Sequence, residues 1–291
     1  MAKKSWTEHP RVMRLRQRSA SADLVARAAD DFRLHRTGRN ATLVAHFGFL
    51  SVFPLLLVFT TILGFVLQNH PHLQRSILDS AFGRIPIVGK QLADDPSQLK
   101  GDTTALIAGL LLTTWAGLRA FNVLQTALDD IAEVTIDDRP SLLHTRLRSL
   151  LGIVIVGGSQ IAAAVLTGFV GVAGVQVLHK VLLSLAAVVI NAVVLAAVYR
   201  WLCVRRQTWR EVAPGAIAAG VVFAALQLAG TAVVGRAIAK ASPVYGTFAT
   251  VIGLIVWLAL HSAVALLGAE LNHALRTRRL ADQPPTPVMG G

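Results

Sequence analysis

The chain has one cysteine, Cys203, in 291 residues, which excludes an intrachain disulfide and gives no basis for a thiolate metal site. Charge is scarce as well. Asp, Glu, Lys and Arg make up 15% of the residues against 54% hydrophobic ones, and none of the four occurs from Asn40 to Gln74. There is no Walker loop, no Gly-x-Ser-x-Gly elbow and no His-Glu-x-x-His pair, so the common nucleotide-hydrolysing, esterase and zinc-protease chemistries have no foothold. The first 40 residues are polar and lack an apolar core leading to a cleavage site, so no signal peptide is expected and the first apolar run must itself direct insertion.

What is present is a series of apolar runs too long for ordinary core helices. Six spans are predicted at roughly Ala41–Leu67, Thr104–Thr126, Ser149–Gly171, Lys180–Tyr199, Val212–Gly235 and Gly246–Leu271. About 20 helical residues cross a hydrocarbon layer of about 30 Å, so each suffices. A membrane barrel would alternate apolar and polar residues instead. The segment Ser149–Tyr199 contains one charge, Lys180, and is read as two crossings turned by Gly168, Gly171 and Gly174.

Orientation follows from the basic residues. Of the 28 Lys and Arg, 21 fall on one side of the predicted spans and 7 on the other, and positive charge is retained in the cytoplasm. The fold class is therefore an all-α membrane protein, a six transmembrane helix bundle with cytoplasmic N- and C-termini. The net charge of +12 sits beside span ends, where it sets topology and attracts anionic headgroups rather than nucleic acid.

Three regions are expected. Residues 1–40 form a cytoplasmic basic segment, in which Ala20–Arg36 reads as an amphipathic helix with Leu24, Val25, Ala28, Phe32 and His35 at helical spacing and Ser21 or Asp23 as its cap. Residues 41–272 form the transmembrane domain, with an external loop at 69–102. Residues 273–291 are a cytoplasmic tail, its proline-rich end disordered.

Ionisable and polar groups at membrane depth are costly and should face an interior, a wet cavity or an interface. The substrate or cavity candidates are Arg119, Glu270, His261, Asn272, Gln227, Asn191 and His46. Arg119 either snorkels to the cytoplasmic surface or offers its planar fork to an anionic group such as a lipid phosphate. Glu270 either forms a local ion pair, with Arg276, Arg278 and Arg279 one to three turns away, or an interhelical lock, or else binds a proton or cation. His261 lies three turns before Asn272 on roughly the same face. Pro54 frees the Leu50 carbonyl and should kink the first span beside Ser51, whereas Pro214 lies near a helix start where its missing N–H costs little. Gly152, Gly157, Gly158, Gly215, Ala219 and Gly220 are read as close-packing positions. The acidic run Asp129, Asp130, Glu133, Asp137, Asp138 is read as a solvated, salt-bridged face. No metal site or cofactor is expected.

Several blocks also align in order with a known family. They are ATLVAHFGFLSVFPLLLVF with Ser51 and Pro54; TTWAGLRAFNVLQTALDDI with Trp115, Leu124, Ala127 and Leu128; and VYRWLCVRRQTWREVAPGAIAAG with Trp209, Arg210, Pro214 and Gly215. The last is SPVYGTFATVIGLIVWLALHSAVALLGAELNHAL with Tyr245, Gly246, Trp257, Gly268, Ala269, Glu270 and Asn272. Over residues 20–276 the chain resembles the YihY/BrkB family of bacterial inner-membrane proteins. His46 departs from it, standing where an aromatic Tyr-like residue is expected. The resemblance implies a six-helix fold and an inner (cytoplasmic) membrane location, with members described as envelope-integrity proteins or transporters; an older ribonuclease label on some is widely regarded as mistaken.

The function expected is transport of lipid or another amphipathic anion, or membership of a lipid-transport or envelope-integrity pathway, without enzymatic activity. A non-transporting envelope scaffold acting through protein contacts is the alternative, and a metal-dependent ribonuclease a third. The partners implied are membrane lipids and anionic headgroups at the cytoplasmic face, with room for a periplasmic or envelope protein and for an oligomer. Nucleic acid is not among them.

Overall fold

A computed structural model of the chain describes residues 13–14, 19–67, 103–139, 141–171, 178–240 and 243–281. The described elements are helical throughout: α1 (Ala20–Leu34), α2 (Thr37–Leu67), α3 (Thr103–Ile131), a 3-10 turn (Ile136–Asp138), α4 (Leu142–Gly171), α5 (Leu178–Leu202), α6 (Trp209–Lys240) and α7 (Pro243–Ala281). Among the described residues there is no strand, and four helices carry stretches long and apolar enough to cross a membrane: Leu106–Ile131, Leu185–Leu202, Trp209–Gln227 and Val251–Ala281.

The helices overrun the predicted spans. Charge marks where hydrocarbon ends, but a helix satisfies its own backbone and continues into the headgroups, so α6 begins at Trp209 and α7 runs on through Arg276, Arg278 and Arg279. Two expectations about turns and caps are corrected. Gly168 and Gly171 lie inside α4 and do not make the turn to α5, whose Gly174 lies outside the described residues. The cap of α1 is Ser19, not Ser21 or Asp23; its hydroxyl accepts from the Ala22 N–H at 3.5 Å, while Asp23 pairs with Arg27 at 2.7 Å. Ala26 and Ala28 of α1 are buried, and Val25 is exposed. Small side chains allow the closer approach.

The chain divides into two compact units, one of Met1–Leu43, Phe121–Ala229 and Leu260–Gly291, the other of Val44–Ala120 and Gly230–Ala259. In the first, the core joins α3, α5, α6 and α7 through Ala127, Leu128, Leu195, Tyr199, Leu202, Val212, Ala216, Ala219 and Leu266. Gly152 admits Phe121 and Leu202, and Gly220 lies against the Ala192 backbone. In the second unit, Gly230 admits the Trp257 ring and Gly109 meets Val58 and the Pro54 carbonyl. Gly157 and Gly158 have nothing within 4 Å of an added Cβ, so these two are not contact positions.

Many alanines and several glycines are turned inward while many large aliphatic residues point out, as at Leu111 (67% exposed) and Val154 (68%). Water would penalise that inversion; lipid does not, because helices there associate through close packing of small residues.

Candidate functional site

Glu270 on α7 is 0% exposed, and its carboxylate is held from the N-terminal segment. The Thr37 hydroxyl donates to Oε1, and His35 Nδ1 lies 3.0 Å from Oε2 and 3.2 Å from Oε1. Both ligands come from one sharp turn. Arg36 adopts a left-handed φ of 54° between α1 and α2, so the residues flanking it face the same carboxylate. The His35 ring meets the His273 ring edge to face at 5.6 Å, and His273 Nε2 lies 3.9 Å from Glu133 Oε1. Glu133 also has a left-handed φ, 55°, in the turn after α3.

This polar nest is electrostatically coupled. The hydrogen bond that the His35 imidazole gives to the Glu270 carboxylate holds the His35 pKa above its ordinary value, opposed by burial and aided by the charge of Glu270. Burial pushes the Asp31 carboxyl up, with the neighbouring His273 opposing. The hydrogen-bond partners of Glu270 are thus His35 and Thr37, so of the two structural readings it is the interhelical lock that these contacts form. Thr37 and Asp31 were missed by the sequence reading, and His35 was noted only as part of an amphipathic face.

Two residues further along α7, Asn272 binds α6. Its Oδ1 accepts from the Gly215 N–H at 2.7 Å and its Nδ2 donates to the Val212 carbonyl at 3.0 Å. Pro214 is the sixth residue of α6, not a first-turn proline, and Asn272 serves the backbone right beside it. A Cβ on Gly215 would run into the Gly268 carbonyl and the Asn272 amide, and one on Gly268 would meet the Tyr199 hydroxyl and the Gly215 carbonyl. Tyr199, fully buried, donates to the Ala265 carbonyl. The motif residues Pro214, Gly215, Gly268 and Asn272 therefore form one backbone-to-backbone helix junction.

A small open cleft adjoins it, with Leu128, Ile131 and Ala269 among its apolar residues and Gln207, His273 and Arg276 among its polar ones.

The other candidates are dispersed. His261, on α7, stacks against Phe223 of α6 at 4.8 Å, so it and Asn272 both address α6. Asn191 is half-buried and Gln227 exposed. His46 is exposed and borders Phe47. Arg119 is exposed over the Trp115 ring of its own helix at 5.9 Å. Ser51 donates to the Gly48 carbonyl at 2.6 Å, and α2 runs through Pro54. Trp209 packs on Trp201 and takes the Arg200 guanidinium at 5.0 Å. Tyr245 and Gly246 lie within α7, but their side-chain surroundings, like the loop at 69–102, fall outside the described residues.

The acidic run is not uniformly solvated. Asp129 is 2% exposed and accepts from the Val204 N–H at 2.7 Å, Asp130 pairs with Arg139 at 2.6 Å, and Asp137 and Asp138 are exposed in the 3-10 turn. Among the described residues no group of three or more His, Cys, Asp or Glu is arranged to hold a metal ion.

Long apolar helices joined through small residues, with large aliphatic side chains facing out, define an α-helical membrane protein. The profile of the virulence factor BrkB family matches residues 28–289, and the chain belongs to that family. No curated protein and no solved structure matches it.

Proposed function

We propose that this chain is a multi-pass protein of the bacterial inner membrane, crossing six times with both termini in the cytoplasm, and that it moves or hands on a lipid or another amphipathic anion without catalysing a reaction. The observation that carries the reading is Glu270. A carboxylate with no solvent exposure in an apolar helix, held by a histidine and a hydroxyl and bordered by His273 and Asp31, is expensive to keep in a purely passive bundle. Its hydrogen bonds tie the N-terminal segment to the last helix, which suits a protein that alternates between two arrangements. The scarcity of charge, the basic excess on one side of the spans and the family membership support the same reading.

Anionic headgroups at the cytoplasmic face are the partners this reading requires, and the external loop at 69–102 is the natural seat for a periplasmic partner protein.

Flux of a fluorescent phospholipid in proteoliposomes tests the activity. Glu270→Gln is expected to reduce flux to a small fraction of wild type at unchanged reconstitution. Equal flux in wild type, in Glu270→Gln and in protein-free vesicles would remove transport and leave the scaffold reading. Sidedness has its own test, helped by Cys203, which is 3% exposed. A membrane-impermeant maleimide should leave wild-type protein unmodified in intact inside-out vesicles while labelling both Lys4→Cys and Thr286→Cys; labelling of only one of the two refutes an even number of crossings.

A further inference from the structure

At one corner of the first unit, α3, α4 and the connection between them carry buried polar atoms that have no hydrogen-bond partner. Gly152 of α4 receives Phe121 of α3 and Leu202 of α5. Because α3 and α4 are joined by a short connection and run in opposite directions here, one turn back along α4 brings Arg148 and Ser149 level with Gln125, one turn on along α3. A further turn along α3 is Asp129, which lies within electrostatic reach of both Arg139 and Arg148 and takes the Val204 N–H.

Gln125 is 2% exposed and Ser149 1%, yet Gln125 Oε1 and Ser149 Oγ are unpartnered. So are Arg148 Nη1 and Arg139 Nε, both buried atoms. Arg139 uses its other nitrogen on Asp130, and Asp129 is served by a backbone N–H, so neither acid occupies the donors left over. Buried donors of a guanidinium do not stay empty; an acceptor-rich group or ordered water takes them. Two arginines, a hydroxyl and an amide able to turn its N–H outward make a set suited to the oxygens of a phosphate. Beside Arg148, Leu143, Leu147 and Leu151 of the same helix are exposed.

We propose that Arg148, Ser149, Gln125 and Arg139 form a binding site for a phosphate group, with the exposed leucines of α4 as the track for attached acyl chains. The site is separate from Glu270 and concerns binding rather than movement, so it stands or falls independently of transport.

Full-length protein in detergent is titrated with phosphatidylglycerol, with phosphatidylcholine and with inorganic phosphate, and bound species are counted by native mass spectrometry. Wild type is expected to retain phosphatidylglycerol, and Arg148→Gln to weaken that retention by about tenfold, the scale of one charge-assisted hydrogen bond. The exposed neighbour Arg146, changed to Gln, should leave it unaltered. Saturable inorganic phosphate lost in Arg148→Gln, with no retained lipid, supports the same site with free phosphate as its ligand. If Arg148→Gln does not fold, Ser149→Ala and Gln125→Leu carry the test with the same expected direction. Binding unchanged in folded variants, or a wild type that takes up neither lipid nor phosphate and so holds only water there, overturns the proposal.

Discussion

Glu270→Ala is expected to lower the stability of the protein by about 3–5 kcal/mol, the usual cost of removing one member of a buried, hydrogen-bonded charge pair. Truncation strands the Thr37 hydroxyl and the His35 imidazole around a new void, and Thr37 is itself fully buried. For a chain of this size that corresponds to a fall of roughly 10 °C in thermal midpoint, read by unfolding in detergent. Glu270→Gln keeps an acceptor for Thr37 and should lose much less, which is why it serves the flux experiment. A midpoint unchanged in the alanine variant would mean the lock contributes nothing.

The same lock predicts a pH dependence with a definite sign. Folding raises the His35 pKa above its unfolded value of about 6.5, so the contribution of the bond is complete below that pH and is lost as pH rises through the folded value. Asp31, also raised by burial, acts in the same sense over its own, more acidic window above 3.8. Unfolding midpoints should therefore decline from pH 6 toward alkaline pH, and His35→Gln should flatten that decline. A wild-type midpoint that rises across this range contradicts the assignment of His35 as the proton carrier.

Gly215→Ala is the second change with a large expected effect. The added methyl meets the Gly268 carbonyl, which is backbone and cannot rotate away, and it displaces the Asn272 amide from two hydrogen bonds. Overpacking alone costs about 1–3 kcal/mol, and the two bonds add about 1 kcal/mol each. The variant is expected to yield little folded protein after extraction. Gly157→Ala is the matched control: with open space around it, the exchange should be neutral or stabilising by up to about 1 kcal/mol through helix propensity. Equal yields and midpoints for the two variants would contradict a tight α6–α7 junction.

The membrane helices were legible because hydrocarbon excludes charge so strongly that the runs mark themselves. Their ends were not, since a backbone hydrogen-bond ladder does not stop where the lipid stops, and α6 carries Arg210 and Glu211 in its first turn. The importance of Pro214, Gly215, Gly268, Glu270 and Asn272 could be read from their pattern, but their partners could not. Arginines six to nine positions away made the nearest ion pair for Glu270 on sequence grounds, whereas the actual histidine lies 235 positions away and is delivered by a tertiary turn. Two signals were available: His35 and Thr37 lie within five residues of the start of the charge-free run at Asn40, and Tyr199 is one of only two tyrosines, placed at a span end. The buried state of Asp129 had no such signal, because the group that satisfies it is a backbone amide at Val204.

The Asn272 amide holds the α6 backbone on both sides of Pro214, at Val212 and at Gly215, and it belongs to the helix that is made last. During translation Gly215 is synthesised 57 positions before Asn272, so the α6 backbone exists well before the side chain that holds it. Maturation of the helix start must therefore wait for the final segment to arrive, and a nascent chain halted before residue 272 holds an unfinished intermediate rather than a smaller version of the native protein.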